Sequence, residues 1–202
     1  MFKLTKKAAS RGSFRFAIAA ILGLQLLTSC ATQPNNVNLS SSTSQVPPGK
    51  GIVVIGIAGN ATASFRSGKL FGDGSFEHDN SRATEFSSAL GQSYIVRALD
   101  ATSGDDRYAM FRASAGGRSY DFECGQILPV LTVNDGEVQY YGDFRVVVSG
   151  GKLKVQQTFD IEKASQFLSS RFPNGNWDLQ PGTLDRARST QCLQVPPAAI
   201  VG

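Results

Sequence analysis

The sequence predicts a mainly β protein, an antiparallel β-sandwich with one C-terminal amphipathic helix, after a signal peptide and a flexible linker. Three observations predict it: short apolar runs separated by glycine-containing turns, one late segment with helical periodicity, and a polar, charge-free stretch before the first apolar run. The chain has 202 residues, of which 41% are hydrophobic, and its mean hydropathy is -0.12. This composition excludes a disordered chain and argues against a polytopic membrane protein.

The first 29 residues have the plan of an export signal. Five basic residues precede position 16, and the apolar segment 17–27 follows them. A basic region followed by about 7–15 apolar residues is typical of a secretory signal peptide. The apolar segment is too short to cross a bilayer, which takes roughly 20 residues.

The end of this segment carries more information. Leu27, Thr28, Ser29 and Cys30 resemble the bacterial lipobox, in which a leucine and two small residues precede a cysteine. The resemblance implies cleavage between Ser29 and Cys30 and a lipid on the Cys30 thiol. The alternatives are an ordinary secretory signal with a chance cysteine, or an uncleaved anchor. Ala31 lacks the aspartate of inner-membrane retention, so we expect the outer membrane, with the protein facing the periplasm, if the source is Gram-negative.

Removal of residues 1–29 changes the charge balance. The whole chain has 20 basic and 16 acidic residues, and the signal carries five basic and no acidic ones, which leaves 15 against 16. The mature protein is therefore nearly neutral, and its charge gives no reason to expect a nucleic-acid partner.

Residues 30–50 are predicted to be the lipidated cysteine and a flexible linker, because this stretch is rich in Ser, Asn, Gln and Pro. The alternative is a segment that lies ordered against the domain. We place the β-sandwich domain at residues 51–195 and a frayed tail at 196–202.

Within the domain, apolar runs of strand length predict the strands. Their bounds are 52–58, 94–99, 108–113, 127–133, 137–148 and 152–159. The run 52–58 reads as fully buried, and Asn134-Asp135-Gly136 is a strong hairpin turn. In the last run Leu153, Val155 and Phe159 share one face.

A single helix is predicted near residues 160–172. Asp160 can cap it, and Pro173 follows its end. Its apolar stripe consists of Ile161, Ala164, Phe167, Leu168 and Phe172.

Several of these segments carry a family resemblance. The segments 94–99, 122–125, 133–138 and 140–144 look like those of uncharacterised bacterial lipoproteins that carry a small prealbumin-like, or carboxypeptidase-regulatory-like, β-sandwich. The resemblance covers about residues 50–172. It implies a fold and no activity.

Lipidation of Cys30 would leave two cysteines, Cys124 and Cys192. An exported chain meets an oxidising compartment, so we expect a disulfide between them. The alternative is two free buried thiols. Two cysteines without a nearby histidine do not predict a zinc site.

No complete catalytic set is apparent, and we expect neither an enzyme nor a cofactor. His78 is the one histidine, and we interpret it as a surface residue. Ser149 and Lys152 have the spacing of the S-x-x-K motif, but they flank two glycines and are interpreted as a turn.

The acidic segment 73–79 places oxygens at alternate positions, on Asp73, Ser75, Glu77 and Asp79. His78 stands where a calcium loop of the EF-hand type needs glycine. We interpret the segment as a solvated loop and predict no metal site, although weak cation binding is left open.

Tyr140 and Tyr141 are neighbours in a predicted strand, so their side chains point to opposite faces. They are either core residues or a binding face with one exposed tyrosine.

These features predict a lipid-anchored, non-enzymatic binding or scaffold module of the bacterial cell envelope, whose partner is an envelope protein or a glycan. One alternative is an envelope hydrolase that acts on peptidoglycan or carbohydrate. The other is an accessory lipoprotein of a secretion or surface-assembly system.

Overall fold

Two β-sheets and one helix form three layers in this computed structural model, which describes residues 36–37, 39–79, 86–149 and 152–190. The first sheet contains, in spatial order, β1 (Asn36–Val37), β6 (Tyr94–Asp100), β2 (Lys50–Ala58), β10 (Val138–Ser149) and β11 (Lys152–Thr158), with β12 (Leu179–Pro181) also paired to β10. The second sheet contains β5 (Phe86–Ser87), β3 (Ala61–Leu70), β4 (Ser75–His78), β13 (Thr183–Ser189), β9 (Ile127–Thr132), β7 (Asp106–Ala115) and β8 (Arg118–Asp121). The predicted mainly β, sandwich-like fold with one helix is confirmed.

The sheets are mixed rather than purely antiparallel, which corrects the prediction in this respect. β2 and β12 both run parallel to β10, and β4 runs parallel to β13. A strand that is covered on both faces is hydrophobic along its whole length, and β2 lies between the second sheet and the helix-side cluster. This explains why β2 is buried from Gly51 to Ile57.

The second sheet closes on itself. β3 pairs with β4 along one edge and with β7 along the other, and β7 leads back to β4 through β9 and β13. The ring consists of five strands, β3, β4, β13, β9 and β7. Each of them has a hydrogen-bonded neighbour on both sides, so the ring has no edge strand.

The main core lies between the two sheets. Val53 and Ile55 of β2 pack in one buried cluster with residues of the second sheet such as Phe65 and Leu128. Residues 52 and 54 of the same strand point the other way, into a second cluster. β2 therefore supplies side chains to both sides of the first sheet.

The helix α1 (Ile161–Arg171) covers the outer face of the first sheet. Asp160 caps it as predicted, because its Oδ1 accepts a hydrogen bond from the Lys163 amide at 3.0 Å. Ala164, Leu168 and Phe172 of the predicted stripe are buried against the sheet.

The predicted linker is ordered over the part that the structure describes. β1 pairs with β6, and Leu39 and Val46 pack against the helix-side cluster. The expectation of a free linker up to residue 50 was wrong here, because these two apolar side chains and the short strand find partners on the domain. The signal peptide, Cys30 and the predicted tail lie outside the described residues.

Candidate functional site

A cleft of about 630 Å³ lies beside β3, β4, β7 and the segment that follows β6. This volume falls within the range of small-molecule sites, about 300–1,000 Å³. A second pocket, which Phe144 and Leu184 line, measures about 30 Å³. We therefore take the cleft as the candidate site.

The strand register decides which side chains face the cleft. Lys69 lies opposite Glu77 of β4 on one side and opposite Asp106 of β7 on the other. Residues that are paired across a sheet point to the same face. The three side chains thus form a row of alternating charge, and all three are exposed. We call Glu77, Lys69 and Asp106 the charged row.

The next row along the strands points the other way. His78, Gly68 and Arg107 are paired across β4, β3 and β7 and also border the cleft. Side chains alternate along a strand, so those of His78 and Arg107 lie on the face opposite the charged row. A Cβ on Gly68 would meet the ring of Phe76 at 2.7 Å, which places Phe76 on this face as well.

His78 is only 4% exposed, so its interpretation as a surface residue was wrong. The Phe76 ring contacts the imidazole edge-on at a centroid distance of 4.9 Å, and the Phe111 ring lies at 6.0 Å. Neither imidazole nitrogen has a hydrogen-bond partner. Burial, together with the nearby Arg66 guanidinium, lowers the pKa of His78 to about 4. The imidazole is therefore neutral at pH 7.

The opposite wall of the cleft belongs to the segment after β6. The Lys50 ammonium contacts the Asp100 carboxylate at 2.6 Å, and the Tyr108 hydroxyl donates to the Asp100 carbonyl at 3.2 Å. Thr102 donates twice to the Val133 carbonyl, through its amide at 2.8 Å and its hydroxyl at 3.1 Å. These bonds fix the wall relative to both sheets.

The cleft is predominantly acidic. Four carboxylates border it, of which Asp100 is paired with Lys50, and the cations that border it are Lys69 and Arg107, the second of which points to the other face. The carboxylates are those of Glu77, Asp79, Asp100 and Asp106. None of the four is buried.

The acidic segment 73–79 is divided between a turn and a strand, so it is not the solvated loop that the sequence predicts. Asp73 lies in the turn before β4, where its carboxylate accepts hydrogen bonds from the amide and the hydroxyl of Ser75. These bonds lower the pKa of Asp73. Among the described residues, no group of three or more His, Cys, Asp or Glu side chains is arranged to hold a metal ion.

Tyr140 and Tyr141 are both fully buried, so they are core residues, and the alternative of a binding face with one exposed tyrosine is wrong. Tyr141 points into the core between the sheets and donates a hydrogen bond to the Thr132 carbonyl at 2.5 Å. Tyr140 points the other way and is covered by the helix-side cluster. The core alternative is the correct one, because the first sheet is covered on both faces.

Two smaller predictions have partial answers. Ser149 pairs with Lys152 across the hairpin between β10 and β11, which confirms the interpretation as a turn.

Cys124 is disulfide-bonded, but Cys192 lies outside the described residues, so the pairing of the two stays a prediction. The Gly125 amide donates to the Ser189 carbonyl at 2.8 Å. A chain of three residues from Ser189 reaches about 10 Å, which is compatible with that pairing.

Taken together, the layers and the cleft define a β-sandwich module with a helix on one side and an acidic, mixed-charge cleft at one end. Comparisons with protein-family models, with curated proteins and with solved structures found no significant match. In the part of the chain that is described, no helix has the length and apolar character needed to span a membrane.

Proposed function

We propose that this chain is a lipid-anchored, non-enzymatic binding module of the bacterial cell envelope, and that its ligand occupies the cleft. The observation that carries the proposal is the cleft of about 630 Å³ with its exposed charged row. Cys30 supplies the anchor, since the segment 27–30 resembles a lipobox. The protein belongs to the outer membrane and faces the periplasm in this proposal.

Binding is favoured over hydrolysis by the state of the groups around the cleft. A general base of the Ser-His-Asp type is held by a carboxylate on one nitrogen and a nucleophile on the other. His78 has neither contact. A glycosidase needs a carboxylic acid whose pKa is raised by burial, whereas the carboxylates around the cleft are not buried.

The resemblance to bacterial lipoproteins with a prealbumin-like β-sandwich agrees with this proposal and stays a prediction. The sequence predicts an envelope protein or a glycan as the partner, and the charge of the cleft restricts which chemical groups of a ligand can bind there. Because carboxylates outnumber cations there, a ligand with a cationic group is favoured.

The anchor is tested by metabolic labelling with radioactive palmitate. We expect the full-length protein to be labelled and the Cys30→Ala variant to be unlabelled, because the thiol that receives the lipid is absent. Cys192→Ala is the matched control, since it removes a cysteine outside the lipobox and should keep the label. Undiminished label on Cys30→Ala would refute the anchor.

A further inference from the structure

The path of the chain relates the cleft to the predicted anchor. β1 is antiparallel to β6, with Asn36 opposite Leu99 and Val37 opposite Ala98. β1 therefore begins at the Asp100 end of β6. Asp100, Ala101 and Thr102 form a wall of the cleft. The strand that enters the domain from the N-terminal side thus begins next to the cleft.

The distance from this point to Cys30 is limited. Six residue steps separate Cys30 from Asn36, and a chain of six residues spans at most about 21 Å. If Cys30 carries the lipid, as the proposed function requires, Asn36 stays within that distance of the membrane surface. The docking of β1, Leu39 and Val46 on the domain removes the longer reach that a free linker would provide. We therefore expect the end of the domain that carries the cleft to lie near the membrane.

The charged row limits the kind of lipid that such a cleft can accept. Glu77 and Asp106 flank Lys69, and neighbouring strands lie about 4.8 Å apart. A ligand that carries one positive and one negative group at about this separation can pair with both signs at once. An anionic headgroup would meet more carboxylates than cations. A zwitterionic headgroup with a short spacer fits this row best.

We propose that the cleft binds the phosphoethanolamine headgroup of a lipid in the membrane that holds the anchor. The ammonium group donates hydrogen bonds to the carboxylate of one flanking strand, Glu77 or Asp106, and the phosphate accepts from the Lys69 ammonium on β3. The two-carbon spacer bridges neighbouring strands. Choline headgroups are disfavoured, because three methyl groups replace the N–H donors. This inference rests on the proposed lipid anchor.

The chemistry is tested with a soluble probe, glycerophosphoethanolamine, and the full-length lipoprotein in a nonionic maltoside detergent. Saturation-transfer NMR of the probe measures binding. We expect the Kd of glycerophosphocholine to be about tenfold higher than that of glycerophosphoethanolamine. This ratio corresponds to the loss of one charge-assisted hydrogen bond. The double variant Glu77→Gln and Asp106→Asn should lose binding. The control, Glu123→Gln with Glu162→Gln, removes two exposed acidic groups outside the cleft and should keep it.

The source of the ligand is tested in nanodiscs. Hydrogen exchange of residues 67–69 and 100–107 should be slower in phosphatidylethanolamine discs than in phosphatidylcholine discs, and the double variant should remove the difference. Equal binding of the two soluble probes, or binding that survives the double variant, would overturn the assignment of the headgroup. If glycerophosphoethanolamine binds but hydrogen exchange is the same in the two kinds of disc, the assignment of the ligand to a membrane lipid is overturned. Failure of the anchor is recognised separately, because it shows in the palmitate labelling of Cys30→Ala.

Discussion

Replacement of Gly142 with alanine should lower the free energy of unfolding by about 3 kcal/mol. Gly142 has a φ of 93°, a conformation that costs a residue with a Cβ about 1–2 kcal/mol. It lies where the register between β10 and β2 shifts, between Tyr140 and Asp143. A Cβ there would also meet the Thr158 carbonyl oxygen at 2.7 Å. That oxygen belongs to the backbone of the neighbouring β11, so it cannot move without disturbing the sheet.

Gly59→Ala is the matched control. Gly59 has a similar φ of 81°, but nothing lies within 4 Å of its Cβ position. We therefore expect a cost of about 1 kcal/mol, from the backbone conformation alone. Both values are measured by urea unfolding. Equal costs for the two variants would show that the close approach of β10 and β11 is not as described.

Acidification from pH 6.5 to pH 4 should destabilise the protein by up to about 3 kcal/mol through His78 alone. The folded-state pKa of His78 is lowered to about 4, against an ordinary value of 6.5. Between these values the unfolded chain takes up a proton that the folded chain does not. Stability is therefore complete above pH 6.5 and falls as the pH falls through this window.

The measurement compares urea unfolding of the parent and of His78→Leu at several pH values. Leucine is apolar and of similar size, and it removes two buried nitrogens that have no hydrogen-bond partner. The variant should be at least as stable as the parent at pH 7 and should lack this part of the pH dependence. Parallel pH profiles for the two proteins would mean that His78 does not titrate in this way.

The elements that the sequence predicts are those with a continuous pattern. β2 and β10 have long apolar runs, and α1 has a capping residue and a stripe at helical spacing. These signals are local, so the sequence alone was enough to place them. The same holds for the hairpin that joins β10 to β11.

The missed elements have weak local patterns. β3 buries small residues such as Ala61 and Ala63 between polar ones, and β13 contains two arginines. Their stability comes from pairing with distant strands, β3 with β7 and β13 with β9. The closed ring and the parallel pairs depend on such contacts, which no short window of sequence contains.

The cleft could not be predicted for the same reason. Lys69, Glu77 and Asp106 come from three strands, two of which were not foreseen. The burial of His78 had one available signal, its position two residues after Phe76, which places both side chains on one face of a strand. The interpretation of residues 73–79 as a loop does not use this signal.

The most direct test of the account is the position of the cleft relative to the membrane. His78 borders the cleft and is the one histidine of the chain, so ¹⁵N-histidine labelling gives a single imidazole reporter. The full-length lipoprotein in nanodiscs should show strong broadening of the His78 signals when a gadolinium-chelating lipid is added, relative to a lanthanum control. The Cys30→Ala variant should show none. His78 signals that stay sharp while the protein remains anchored would contradict a cleft that lies near the membrane.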